Sequence, residues 1–151
     1  MDFDTELNQL LIETFSRILK SEDRALKGIG GVDLSVSEFH LIEAIAQNPD
    51  QNTVSGLAAH FNISLPSVSA AVKKLVEKGY VQKVKSDEDE RSAHIALTEK
   101  GIVVDRHHQN FHRHMIAQIT GQLSETEKEI LFKSVMKLNR FFKITGTRTA
   151  K

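Results

Sequence analysis

The chain contains no cysteine, which excludes disulfides, thiolate metal ligands and thiol redox chemistry. It also lacks tryptophan, and aromatics make up only 6% of its 151 residues. A core therefore has to be built mainly from Leu, Ile, Val and Ala. Two prolines and eight glycines are too few for long disordered tracts. No apolar run approaches the roughly 20 residues needed to span a bilayer. The opening MDFDTELNQL has neither the basic nor the apolar region of a signal peptide, so the expected location is the cytoplasm, with no membrane partner. There is no His-Glu-x-x-His motif, no glycine-rich phosphate loop and no thiol nucleophile, which argues against an enzyme.

Net charge is missing too: 20 Lys and Arg balance 20 Asp and Glu. The balance is uneven along the chain. Between residues 53 and 85, Lys73, Lys74, Lys78, Lys83 and Lys85 meet a single acid, Glu77. A local basic patch on a neutral protein can hold a phosphate backbone while limiting non-specific attraction.

What is present is helical periodicity. Phe3, Leu7, Leu11, Phe15, Ile18 and Leu19 predict a helix over 3–27, which Gly28, Gly30 and Gly31 break. Ser35 is placed to cap a second helix of about 12 residues with Phe39, Ile42 and Ile45 on one face, ended at Asn48-Pro49-Asp50. A short third helix starts near Thr53 and stops at Asn62. A fourth runs from Leu65 to Lys78 and ends at Gly79, a C′ glycine. Residues 80–85 and 93–97 read as strands joined by an acidic turn. Thr98 caps a fifth helix to about Gly121. A sixth runs from Ser124, where Ser124 and Glu127 have capping-box spacing, to Phe142, and residues 145–151 read as frayed.

Residues 54–81 carry the strongest signal. Ala58 is small enough for a helix crossing, and Asn62 tolerates the left-handed backbone of a tight turn. Val68, Ala71, Val72 and Leu75 give the second helix of the pair a stripe to bury. The opposite face shows Ser67, Ser69, Ala70, Lys73 and Lys74. Small hydroxyl residues allow close approach to base edges in a major groove, and lysines reach phosphates. Pro66 fits the first turn, where its missing N–H costs little. In the hairpin that follows, Lys83 and Lys85 lie on the first strand and Arg91 near the tip, where an arginine can enter the minor groove. Asp89 is placed to orient Arg91 among otherwise repulsive acids. The candidate DNA contacts are thus Ser55, Ser64, Pro66, Ser67, Ser69, Lys73, Lys74, Lys83, Lys85, Asp89 and Arg91.

These pieces, LAAHFNIS, SVSAAVKKLVEKGYV, DERS and the Leu97-Thr98-x-x-Gly101 run, resemble the MarR family of winged-helix regulators. Glu90 departs from the pattern, standing where many relatives have a second arginine, and puts one DNA contact in doubt. The resemblance covers nearly the whole chain. It implies a mainly α fold of one domain over 1–151: about six helices with a two- to three-stranded wing. The winged helix-turn-helix would occupy 53–97, and the helices of 1–34 and 98–145 would join two subunits. The sequence agrees, since both ends carry apolar stripes, the last one through Ile130, Leu131, Val135, Leu138, Phe141 and Phe142. A homodimer implies a pseudo-palindromic operator on double-stranded DNA.

The run RHHQNFHRHM over 106–115 holds four of the seven histidines. Two effector readings follow. Glu-Phe-His-x-Ile over 38–42, the Asn-Pro-Asp turn and the histidine run are similar to the branch of the family that represses fatty-acid biosynthesis genes. That likeness implies acyl-acyl carrier protein as co-repressor, with Phe39, Phe111 and Met115 lining a slot for the chain and Arg106 and Arg113 meeting the acidic carrier. The alternative is zinc: His108 and His112 share a helix face and, with His40 and Glu38, would make a ligand set.

Overall fold

The computed structural model describes residues 1–49, 52–85 and 93–148, the last five of these by their backbone alone. Its elements are α1 Phe3–Lys27, α2 Val36–Gln47, α3 Val54–Phe61, α4 Leu65–Glu77, β1 Val81–Lys85, β2 Ala93–Leu97, α5 Glu99–Thr120 and α6 Glu125–Arg148. By contacts the chain divides into two units, Met1–Phe111 and His112–Lys151, with α5 crossing the boundary.

The caps explain the boundaries. Asp2 accepts from Thr5 N–H at 2.9 Å and starts α1. Ser35 and Glu38 form a reciprocal capping box on α2, Glu38 N–H donating to Ser35 Oγ and Ser35 N–H to the Glu38 carboxylate, so that two orphan donors are satisfied at once. Thr53 caps α3 and Ser64 caps α4. Gly79 follows α4 at φ 83°, a left-handed conformation that glycine adopts without steric cost. Ser124 and Glu127 cap each other at the start of α6 as their spacing predicts. That helix continues to Arg148 beyond the expected stop at Phe142, so 145–148 are helical rather than frayed. Gly146 lies inside this last stretch and does not break it, an isolated glycine being tolerated in a helix at a cost of about 1 kcal/mol against alanine.

In the first unit, α2, α3 and α4 pack around a core that includes Ile42, Val72 and Leu75, each 0% exposed. Burying a side chain of this size contributes about 1.5–3 kcal/mol, and tertiary packing rather than propensity holds an eight-residue helix such as α3. Strands β1 and β2 pair antiparallel from Val81↔Leu97 to Lys85↔Ala93. Among the described residues the wing has two strands. Asn52 adds one backbone bond beyond them, its carbonyl accepting from Ile95 N–H at 2.7 Å, while its buried side-chain amide donates to the Ile45 carbonyl.

The wing is locked to α5 at one point. Thr98 donates from Oγ1 to the Gly79 carbonyl at 2.6 Å and from its N–H to the Tyr80 carbonyl at 3.1 Å. The same hydroxyl accepts from Gly101 N–H at 3.2 Å. Lys100 donates to the Lys78 carbonyl and lies 4.2 Å from the centre of the Tyr80 ring. Leu-Thr-x-x-Gly is thus a joint between the end of the reader and the start of α5.

Both ends carry exposed apolar residues. On α1 these include Phe3, Leu10, Ile12, Phe15 and Leu19. In the second unit every residue of α6 from Glu129 to Lys143 is exposed, Ile130, Phe132, Val135 and Leu138 among them. No helix among the described residues is long and apolar enough to cross a membrane.

Candidate nucleic-acid interface and a buried histidine–glutamate cluster

The turn between α3 and α4 is set by Asn62, whose φ of 53° and ψ of 47° place it in the left-handed region. Ile63 N–H returns to the Ala58 carbonyl at 3.1 Å, which closes the turn and aims α4 away from α3. Ala58 is buried at the crossing, where a larger side chain would push the helices apart. On α4, Val68, Val72 and Leu75 are buried and Ser67, Ser69, Ala70, Lys73 and Lys74 exposed, as the sequence predicts. Ser55, Ser64, Pro66, Lys83 and Lys85 are also exposed. Ser64 has a local task as well: its Oγ accepts from Ser67 N–H at 3.3 Å and lies 2.8 Å from Ser67 Oγ. Asp89 and Arg91, with Glu90, lie outside the described residues.

One basic residue of the sequence patch is engaged elsewhere. Lys78 donates from Nζ to the Asp33 carbonyl at 2.8 Å and to both oxygens of Glu38 at 3.2 Å. It ties the end of α4 to the start of α2. The lysines presented outward from the reader and β1 are therefore Lys73, Lys74, Lys83 and Lys85.

The same contacts correct the expected metal set. The Glu38 carboxylate is held by Ser35 and Lys78. Burial works to raise its pKa, but the Ser35 N–H and the Lys78 ammonium outweigh burial and hold it below the usual value. The carboxylate beside the histidines is Glu22, from α1. Glu22 Oε1 lies 2.5 Å from His108 Nε2 and 3.2 Å from His40 Nε2. Glu22 and His108 are 2% and 1% exposed, and the donor atoms of Glu22, His40 and His108 all lie within 4.8 Å of one another. The cluster joins α1, α2 and α5. His112, expected as a further ligand, belongs to the second unit. Beside the cluster, Glu43 Oε2 is 4.0 Å from His108 Nδ1. Asp105 is buried and accepts from the Gln109 amide at 2.6 Å. Burial and then the nearby Glu43 charge push its carboxyl above the ordinary range.

The expected acyl slot also changes. Phe39 is a core residue, 1% exposed and 5.5 Å ring-to-ring from His108, so it does not line an open slot. Phe111 and Met115 are half-buried, and Arg106 and Arg113 are exposed on α5. An open apolar crevice lies instead between α2 and the α3–α4 pair. It holds about 290 Å³ and is walled by Leu41, Phe61, Ile63, Val68 and Ala71, with Ser37, Glu38 and His40 completing its lining.

Comparison with known proteins places this arrangement. The sequence profile of the MarR family matches residues 32–92. The HTH-type transcriptional regulator SarZ of Staphylococcus haemolyticus is 34% identical over 93 residues, which is 62% of this chain and 60% of SarZ; the match thus spans less than two thirds of that relative. The transcriptional repressor MprA of Escherichia coli K12 is 26% identical over 135 residues, covering 87% of this chain and 74% of MprA. Among solved structures, Streptococcus pneumoniae FabT in complex with DNA superposes with a TM-score of 0.87 and 29% identity over 93% of this chain and 98% of that one. The Staphylococcus aureus MepR–DNA complex, at 20% identity, shares the fold with a TM-score of 0.69, covering 87% of this chain and 94% of that one. The profile falls on the reader and the superposition on FabT extends from it through the flanking helices: the chain is similar to the MarR family over residues 32–92 and shares its winged helix-turn-helix fold.

Proposed function

We propose that this chain is a DNA-binding transcription regulator, not an enzyme, that acts in the cytoplasm as a homodimer on a pseudo-palindromic operator. The observation that carries the reading is the two-faced α4. Its apolar stripe is buried while Ser67, Ser69, Ala70, Lys73 and Lys74 face outward, the arrangement a major-groove helix requires. Wing lysines Lys83 and Lys85 would add phosphate contacts, and Asp89 with Arg91 a minor-groove contact. The exposed apolar faces of α1 and α6 support the dimer, since stripes of this size on a lone subunit mark an interaction surface.

The regulated genes are proposed to be those of fatty-acid biosynthesis, with acyl-acyl carrier protein as co-repressor. The structural likeness to FabT over nearly the full chain supports this branch. Exposed Arg106 and Arg113 would meet the acidic carrier. A gel shift on a fatty-acid-synthesis promoter tests both levels. Binding to the promoter fragment and not to a scrambled one supports the regulator. Tightening by long-chain acyl carrier protein supports the branch, and an unchanged shift removes it.

A second reading is favoured by the Glu22–His40–His108 cluster. One carboxylate and two imidazoles suit Zn²⁺, with an open fourth position. The residues present fit that ion by type and by mutual distance. Such a site would supply a cross-link between α1, α2 and α5 in place of the present hydrogen bonds. Because the histidines must bind as neutral rings, affinity would fall with acidification. Zinc-dependent operator binding in chelator-treated protein separates this reading from acyl control.

A further inference from the structure

We propose that the reader selects its operator by the C5-methyl groups of thymine, met by Leu65 and Ala70 on α4, rather than by hydrogen bonds that single out a base. This rests on the DNA-binding reading above and states what that reader recognises.

The first observation is what α4 lacks. Guanine is read at O6 and N7 by a guanidinium or ammonium, adenine at N6 and N7 by an Asn or Gln amide, and cytosine at N4 by an acid. Over Leu65–Glu77 there is no Arg, Asn, Gln or Asp. The acid Glu77 and the lysines Lys73 and Lys74 stand in the later turns, whereas base edges are met by the N-terminal residues of such a helix.

The hydroxyls do not fill the gap. Ser64 Oγ accepts from Ser67 N–H at 3.3 Å and lies 2.8 Å from Ser67 Oγ, so one hydroxyl proton of the pair is spent internally. Ser69 adds another hydroxyl, but a hydroxyl both donates and accepts and suits any base edge.

Thymine alone presents a methyl group in the major groove, and the outward first turns of α4 offer hydrocarbon to meet it. Leu65 is 52% exposed at the first helical position, and Pro66 and Ala70 are exposed as well. Leu65 and Ala70 are about 7.5 Å apart along the helix axis. Base pairs stack about 3.4 Å apart, so the two side chains reach different pairs. Lys73 and Lys74 behind them, with Lys83 and Lys85 on the wing, supply the charge that seats this apolar end against a polyanion. Docking then removes water from both hydrocarbon surfaces, a gain that a base without the methyl does not return.

The test uses the full chain to select bound duplexes from a randomised library. Each thymine of the selected half-site is then replaced singly by deoxyuridine, which removes the methyl and nothing else, and affinity is read by gel shift. At one position for each side chain the replacement should weaken binding by about fourfold, the effect of losing one buried methylene-sized group. Leu65→Ala should erase the loss at one of these positions and Ala70→Gly at the other, to within about 1.5-fold, as a mutant cycle on a contacting pair requires. Neither variant should change the salt slope, which loss of a phosphate contact would reduce. Leu65 lies outside the buried core, so Leu65→Ala carries the test if Ala70→Gly does not fold. Uracil bound as well as thymine at every position overturns the proposal. So does a penalty that both variants retain in full. A library from which no duplex is selected ends the regulator reading and this one with it, whereas a selected operator indifferent to the methyl ends this one alone.

Discussion

The carbonyl oxygen of Tyr80 occupies the space that a side chain at position 101 would need. A Cβ added to Gly101 would stand 2.1 Å from that oxygen. The approach is close because Thr98 bonds both the Gly79 and Tyr80 carbonyls and draws the first turn of α5 onto the end of the reader. The obstruction is backbone, and a rotamer change cannot relieve it. Gly101→Ala should therefore cost about 2–3 kcal/mol, as overpacking of a rigid site does. Gly30 is the control, with nothing within 4 Å of its Cβ position, so Gly30→Ala should be nearly neutral. Thermal melts by circular dichroism compare the two, and equal melting temperatures would show that the joint yields.

The lysines of the reader region divide by partner. Lys73 is exposed on α4, and Lys73→Ala should weaken operator binding across sequences and reduce the salt slope by about one counterion. Lys78 is committed to Glu38 and the Asp33 carbonyl. Lys78→Ala should leave the salt slope unchanged and lower stability by about 1 kcal/mol or less, because the pair is only partly buried. Affinity measured across a potassium chloride series, with melts alongside, checks both. Equal salt slopes for the two variants would return Lys78 to the DNA-facing patch.

Local signals were the readable ones. Asp2, Ser35, Thr53, Ser64 and Ser124 each bond an N–H within three residues, so element starts follow from short-range chemistry. The left-handed turn at Asn62 and the buried stripe of α4 were legible for the same reason. Glu22 was not. It meets His40 across 18 residues and His108 across 86, whereas Glu38, two residues from His40, looked the nearer ligand. Glu38 was already taken by its capping box and Lys78. The available clue was that Glu22 stands in the stripe of Leu11, Ile18 and Leu26, one turn from each of the last two. An acid placed there has to find a buried partner.

Dimerisation should be reversible by charge on the last helix. Val135 and Leu138 are 51% and 41% exposed. If they lie in a subunit interface, Val135→Asp with Leu138→Asp buries two carboxylates without counter-charges. The double variant should sediment as a monomer at micromolar concentration and lose operator binding by about 100-fold or more, since one half-site provides a fraction of the contacts. A dimer that persists in analytical ultracentrifugation would move the interface elsewhere.

Glu22→Gln tests what the buried cluster does. Glutamine keeps the shape but weakens the charge-assisted bonds to His108 and His40. As a structural tie alone, its loss should cost about 2–3 kcal/mol with or without metal. As a zinc site, the unsubstituted chain should gain thermal stability with added zinc and the variant should not. A variant that melts like the unsubstituted chain, and gains equally from zinc, would remove both roles.

Asp105 makes the opposite prediction to most carboxylates. Burial, and then Glu43, push its pKa above the ordinary value of 3.8. The folded state thus holds its proton more tightly than the unfolded state. Stability falls as pH rises from 3.8 through the raised folded value, and the penalty is fully present above it. Glu38 runs the other way: its lowered pKa contributes stability that is present above 4.5 and is lost as pH falls through the folded value. Acidification should relieve Asp105 as pH falls through its raised folded value, and cost Glu38 as pH falls from 4.5 through its lowered one. Asp105→Asn keeps an acceptor for Gln109 and removes the charge. It should raise Tm near pH 7 by about 2–4 °C, with the gain shrinking as pH falls toward 3.8. A gain constant across that range would mean that the charge at position 105 is not its source.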